Sequence, residues 1–139
     1  MRAGVRAFLA ACACALVIGC GDLGRAELAR GVESLNAIAV EGRLLAAGAI
    51  DDRSKATFTR VHARDLADRA EHEAEKLADA SPAPGLEHQR DQAVDLASGI
   101  SDTLGELAVK PGGEAEARRM RDELVRRADE AERLGQGLR

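Results

Sequence analysis

The side chains best suited to chemistry are three histidines, His62, His72 and His88, set among closely spaced carboxylates. A neutral imidazole is a good ligand for zinc, copper or iron, and carboxylates can complete such a shell. His72 has Asp68 four residues before it and Glu75 three residues after it, spacings that put all three on one face of a helix. With His62 further up the same segment, a metal- or small-ligand-binding site would be built from His62, Asp68, His72 and Glu75. The plainer reading competes with it. Acids are so dense here that a histidine anywhere would find such neighbours, and His62, between Phe58 and Leu66 at helical spacing, fits the edge of a core with one ring nitrogen hydrogen-bonded. His88 lies beside Glu87 and Asp91 at the start of the next segment, at a different height from His72 in any antiparallel hairpin.

Other chemistries lack their residues. A di-iron carboxylate centre requires Glu-x-x-His on two helices, and that order occurs nowhere in the chain. The serines stand outside any nucleophile elbow, and no phosphate loop or dinucleotide fingerprint is present. The sequence therefore gives no reason to expect an enzyme or a bound cofactor. Toward the C-terminus Arg118, Arg119, Arg121, Arg126, Arg127 and Arg133 could offer phosphate or glycan contacts. Yet Glu114, Asp122, Glu123 and Asp129 each precede an arginine by four residues, the favourable order for intrahelical ion pairs. That face is expected to be solvated and self-paired.

The three cysteines lie at the amino end. MRAGVR is followed by AFLAACACALVIG, which holds Cys12 and Cys14, and then by Cys20 at the polar boundary. A basic start followed by an apolar run of this length has the form of an export signal. It falls short of the roughly 20 residues needed to cross a bilayer. An ordinary secretory signal cut near Ala15 or Gly19 would leave Cys20 as a lone thiol in an oxidising compartment. A cytosolic protein with an apolar first helix would carry thirteen residues without a charge, an odd amphipathic helix.

Val17-Ile18-Gly19-Cys20 resembles the lipobox of bacterial lipoproteins, with Val17 where Leu is commoner. The resemblance covers only the first twenty or so residues. It implies that the Cys20 sulfur receives a diacylglyceryl group, that a dedicated peptidase cuts between Gly19 and Cys20, and that the new amino group is then open to acylation. Each buried methylene contributes about 0.8 kcal/mol, so two chains hold stably where one holds marginally. The expected organisation is a signal peptide over 1–19, a lipidated cysteine and short tether over 20–25, a helical domain over 26–136 and a frayed end at 137–139. The expected location is lipid-anchored on the extracytoplasmic side, with the choice of membrane open.

The chain of 139 residues is 45% hydrophobic with only 1% aromatic residues, so apolar content means Ala, Leu, Val and Ile. The formal charge is −4; losing Arg2 and Arg6 with the signal leaves 18 basic against 24 acidic side chains, or −6. An acidic surface without aromatic platforms argues against nucleic acid. The partners expected are membrane lipid, through acylated Cys20, and another envelope protein or a second copy of the chain.

What must position these side chains is helical. Ser81-Pro82-Ala83-Pro84-Gly85 and Lys110-Pro111-Gly112-Gly113 are strong breaks, and residues 48–54 are a weaker one, with Gly48 a helix end and Asp51, Asp52 or Ser54 a cap. The apolar stripes have three-and-four spacing. They are Leu28, Val32, Leu35, Ile38, Leu45 and Ala49; then Phe58, His62, Leu66, Ala70, Ala74 and Leu77. Leu86, Ala93, Leu96, Ile100, Leu104 and Leu107 form the third, and Ala117, Met120, Leu124, Ala128, Ala131 and Leu134 the fourth. Four one-faced helices joined by short turns predict an all-α fold, an antiparallel up-down-up-down four-helix bundle. A continuous helix through 48–54 would instead give a three-element coiled coil.

Overall fold

The computed structural model describes residues 22–139 apart from positions 52 and 112. Cys20, Gly19 and the signal segment lie outside the described residues. Four helices follow one another: α1 (Arg25–Ile50), α2 (Ala56–Asp79), α3 (Glu87–Val109) and α4 (Glu114–Gly137). They form the antiparallel four-helix bundle expected, and the chain does turn between α1 and α2. α1 packs most extensively on α4 and α2 on α3, α1 and α3 meet across the diagonal, and among the described residues the α2 and α4 backbones do not come within 8 Å of each other.

Each helix end has a local cause. Glu27 reaches back to accept the Gly24 N–H at 3.3 Å, which fixes the start of α1. After α1 the Gly48 carbonyl accepts the N–H groups of Arg53 and Ser54. The N-cap of α2 is Lys55, without a side-chain bond, so none of the three expected caps is used. Between α2 and α3 the Leu86 N–H donates to the Ala83 carbonyl at 3.0 Å, and Gly85 takes a φ of 83°. Pro84 then Gly85 suits a type II turn, whose third position excludes most side chains. Pro84 thus makes the turn, and α3 begins after it. Arg90 donates to the Ala78 and Ala80 carbonyls at 3.3 and 3.2 Å, satisfying the end of α2 from the neighbouring helix.

The core is aliphatic, with Leu28, Leu35, Leu66, Ile100, Leu104 and Leu124 fully enclosed and alanines filling the space between. Gly42 on α1 makes the diagonal contact possible. A methyl there would lie 2.6 Å from Leu104 Cδ2 and 3.2 Å from Leu124 Cδ1.

Three sequence expectations change. The stripe of α2 begins at Thr59 and Ala63, both fully buried, while Phe58 is exposed. Residues 23–25, expected to be tether, belong to the folded body, because Leu23 is buried and paired through its backbone with Ser81 and Ala83 and α1 begins at Arg25. The expected fraying at 137–139 is replaced by a docked end: α4 runs to Gly137, Leu138 is buried, and Arg25 donates to the Gly137 carbonyl at 3.4 Å. These contacts place the chain entry, the α2–α3 turn and the end of α4 at one end of the bundle. The α1–α2 and α3–α4 turns stand at the other.

Candidate functional site

His62 sits at the seam where α2 crosses the last turns of α1. Its Nε2 lies 2.8 Å from Glu41 Oε1, and its ring stacks on Phe58 with centroids 5.5 Å apart and planes 14° from parallel. The other oxygen of Glu41 pairs with Arg69 at 3.5 Å. One α1 carboxylate therefore bridges a histidine and an arginine two turns apart on α2, and the imidazole is held from two sides. This is the core-edge histidine expected, with Phe58 as an unexpected outer neighbour.

The four candidate metal ligands do not converge. Asp68, His72 and Glu75 are exposed on the outer side of α2, whereas His62 is turned into the α1–α2 seam and committed to Glu41. Among the described residues no group of three or more His, Cys, Asp or Glu side chains is arranged to hold a metal ion. The reason is geometric: three-and-four spacing keeps Asp68, His72 and Glu75 on one helix surface, and no second helix packs there to supply the rest of a shell. His88 is exposed as well.

The arginines of α4 are largely self-paired. Arg118 meets Glu114 at 2.6 Å and Arg127 meets Glu123 at 2.9 Å, as the i,i+4 spacing predicts. Arg126 also turns to Glu123, and Asp122 pairs with Arg121 at 2.7 Å rather than with Arg126. Asp129 and Arg133 form no ion pair with each other. Arg119 instead crosses to Glu106 of α3 at 2.6 Å. That bond holds the Glu106 carboxyl below the ordinary glutamate range and raises the Arg119 guanidinium. The Arg126 bond, with the charge of Arg127 nearby, lowers Glu123 in the same way.

Clefts are shallow. One of about 470 Å³ between α3 and α4 is lined by Gln89, Gln92, Glu130, Arg133, Leu134 and Gly137. Another of about 380 Å³ lies beside Leu23 and Gly31, where Glu73 and Lys76 pair at 3.6 Å. Neither brings a nucleophile against a base.

At one end of the bundle large apolar side chains stand exposed. Leu44, Phe58, Val61 and Val109 are 63, 58, 65 and 71% exposed. They come from the end of α1, the start of α2 and the end of α3, so all four stand near the bundle end opposite Leu23. The exposed Lys55, Arg60 and Arg64 accompany them, and among the described residues none of the three has an acidic partner. The sequence reading missed this surface, although its signal was there: Arg53 to Arg64 contains no acid. No family profile, curated protein or solved structure matches the chain.

Proposed function

We propose that the protein is a membrane-anchored bacterial lipoprotein whose helical bundle is a protein-interaction module of the cell envelope. The observation that carries this reading is the position of Leu23. It is buried and backbone-bonded to the α2–α3 turn, and only two residues separate it from Cys20. The polar boundary at Cys20 thus coincides with the start of the folded body. At about 3.4 Å per residue the leash between them spans at most ~10 Å. A diacylated Cys20 would hold the α2–α3 end of the bundle against the lipid surface. No helix among the described residues is long and apolar enough to cross a membrane, so attachment would fall to the acyl chains.

An interaction role rather than a catalytic one is supported by the self-paired polar surface and the shallow clefts, together with an exposed apolar group at the far end. The test is the intact mass of the protein purified from its native membrane, beside a Cys20→Ser variant. The expected result is a mature chain beginning at Cys20 with added acyl mass, and a variant that keeps its signal segment and gains no acyl mass. A variant that matures and partitions like the parent overturns the reading.

A further inference from the structure

The bundle is built as two helix pairs. α1 packs on α4, and α2 on α3, far more extensively than either pair packs on the other. The turns that join the pairs, after α1 and after α3, both stand at the end opposite Leu23, while the α2–α3 turn stays within one pair. Polar ties between the pairs follow the same division. Glu41 of α1 holds His62 and Arg69 of α2, and Glu106 of α3 holds Arg119 of α4, all at mid-height or toward the joined end. Gly42 admits Leu104 across the diagonal in that half as well. At the other end, among the described residues, the hydrogen bonds between the pairs are the two that Leu23 makes with Ser81 and Ala83.

The seams between the pairs are open at that end. The cleft of about 470 Å³ lies in the α3–α4 seam and the cleft of about 380 Å³ in the α1–α2 seam, whereas inside the α1–α4 pair the cleft at the same height is about 150 Å³. Each seam cleft is lined by a side chain whose buried oxygen has no hydrogen-bond partner, Gln89 Oε1 in the first and Glu73 Oε2 in the second, the latter 3.6 Å from Lys76. The other such atoms, on Arg43 and Thr59, lie toward the joined end. An unmet buried acceptor costs free energy that contact with water restores, so closure is opposed in both seams. Leu28 and Leu77, fully buried at the same end, favour closure and keep it the ground state in water.

We propose that the Leu23 bridge is a latch, and that its release lets the α1–α4 and α2–α3 pairs part at this end about the two turns at the other. Each pair moves as a body because its own interface is the extensive one. Parting widens both clefts and brings water to Glu73 and Gln89. Release does not create the open form; it raises the population of a minor one. The latch lies two residues beyond Cys20, so whatever holds or pulls the amino end acts on it directly. That coupling follows from chain connectivity alone. On the anchor reading, the pull comes from displacement of the bundle relative to the lipid surface.

Distances between spin labels on the full-length protein in detergent provide the test. The labels are carried by a ketone-bearing amino acid, which leaves the native cysteines alone. His88 with Gln136 spans the α3–α4 seam at the latch end, Val109 with Ala115 spans it at the joined end, and His88 with Asp79 stays within the α2–α3 pair; all of these positions are exposed. Ala83→Pro removes the N–H that Leu23 accepts and keeps the carbonyl that Leu86 uses. Leu23→Ala keeps both backbone bonds and removes the side-chain contact. Each variant is expected to raise the long-distance population of His88–Gln136 at least about threefold, with the other two label pairs unchanged. The parent alone gives a second reading: urea below the global transition should lengthen His88–Gln136 before Val109–Ala115.

An unchanged His88–Gln136 distribution in both variants overturns the proposal. Equal lengthening of Val109–Ala115 does so too, since the whole bundle then loosens, and so does lengthening of His88–Asp79, since the α2–α3 turn then unravels. A parent whose three label pairs change together in urea overturns it without any variant. The intact mass of the same preparation keeps the two readings apart. An acylated protein that never opens sinks the latch alone, whereas an unmodified Cys20 on a protein that opens as described sinks the anchor and leaves the latch standing.

Discussion

The Leu23 N–H donates to the Ser81 carbonyl at 2.6 Å, and the Leu23 carbonyl accepts the Ala83 N–H at 3.1 Å. Leu23 thus forms a one-rung parallel bridge with Pro82, 59 positions away, that stitches the chain entry to the α2–α3 turn. The Leu23 side chain is buried in the same contact. The bridge decides which end of the bundle a lipid on Cys20 would face.

Replacing Leu23 with alanine removes buried apolar atoms at the rim of the core. The expected cost is about 2 kcal/mol, the low end for a Leu→Ala change because the site can relax toward solvent. Urea unfolding of the parent and variant measures it. If residue 23 belonged to a loose tether, the midpoint would not move.

Two helix-interior glycines should respond to alanine with opposite sign. At Gly105 an added methyl meets nothing within 4 Å, so Gly105→Ala should stabilise by about 0.5–1 kcal/mol through helix propensity. At Gly42 the methyl runs into Leu104, itself fully buried, and Leu124 narrows the other side. Overpacking of about 1–3 kcal/mol outweighs the same propensity gain, so Gly42→Ala should lower the melting temperature. Thermal melts of the pair, run side by side, check both signs.

Thr59 is fully buried and its hydroxyl has no hydrogen-bond partner. Valine keeps the shape and removes the unsatisfied group. Thr59→Val is expected to stabilise by about 1 kcal/mol, whereas Thr59→Ser, which keeps the hydroxyl and loses the methyl, should destabilise by about the same amount. Chemical denaturation of the two variants gives the comparison.

The helices and most of their buried faces were legible because leucines and isoleucines at three-and-four spacing need a common partner. α3 and α4 follow their stripes almost residue for residue. The start of α2 was not legible. Apolar identity favours Phe58 and His62, yet the face that meets α3 and α1 carries Thr59 and Ala63, one residue along. In a helix whose core positions are mostly alanine, size no longer marks the inside. Leu23 and Leu138 escaped for another reason: each lies outside a periodic window, and its burial depends on elements far away in sequence. The exposed apolar end of the bundle was half legible. The acid-free run from Arg53 to Arg64 is plain in the sequence, but the outward position of Phe58 follows only from the packing of α2.

The acid side of the stability curve should depend on Glu123. Hydrogen bonding from Arg126, aided by the charge of Arg127, lowers its carboxyl below the ordinary glutamate range. A carboxyl that ionises more readily in the folded than in the unfolded chain stabilises the fold once the unfolded form is also ionised. Its contribution is therefore complete above the ordinary glutamate range, and it fades as pH falls through that range toward the lowered folded value. Glu123→Gln should cost about 0.5–1 kcal/mol at pH 7, in keeping with a partly exposed pair that salt screens. As pH falls through the lowered folded value, so that the parent becomes protonated in both states, the gap between the two melting temperatures should close. Melting temperatures across this range provide the measurement, and a gap that stayed constant with pH would mean that Glu123 acts through packing rather than through its charge.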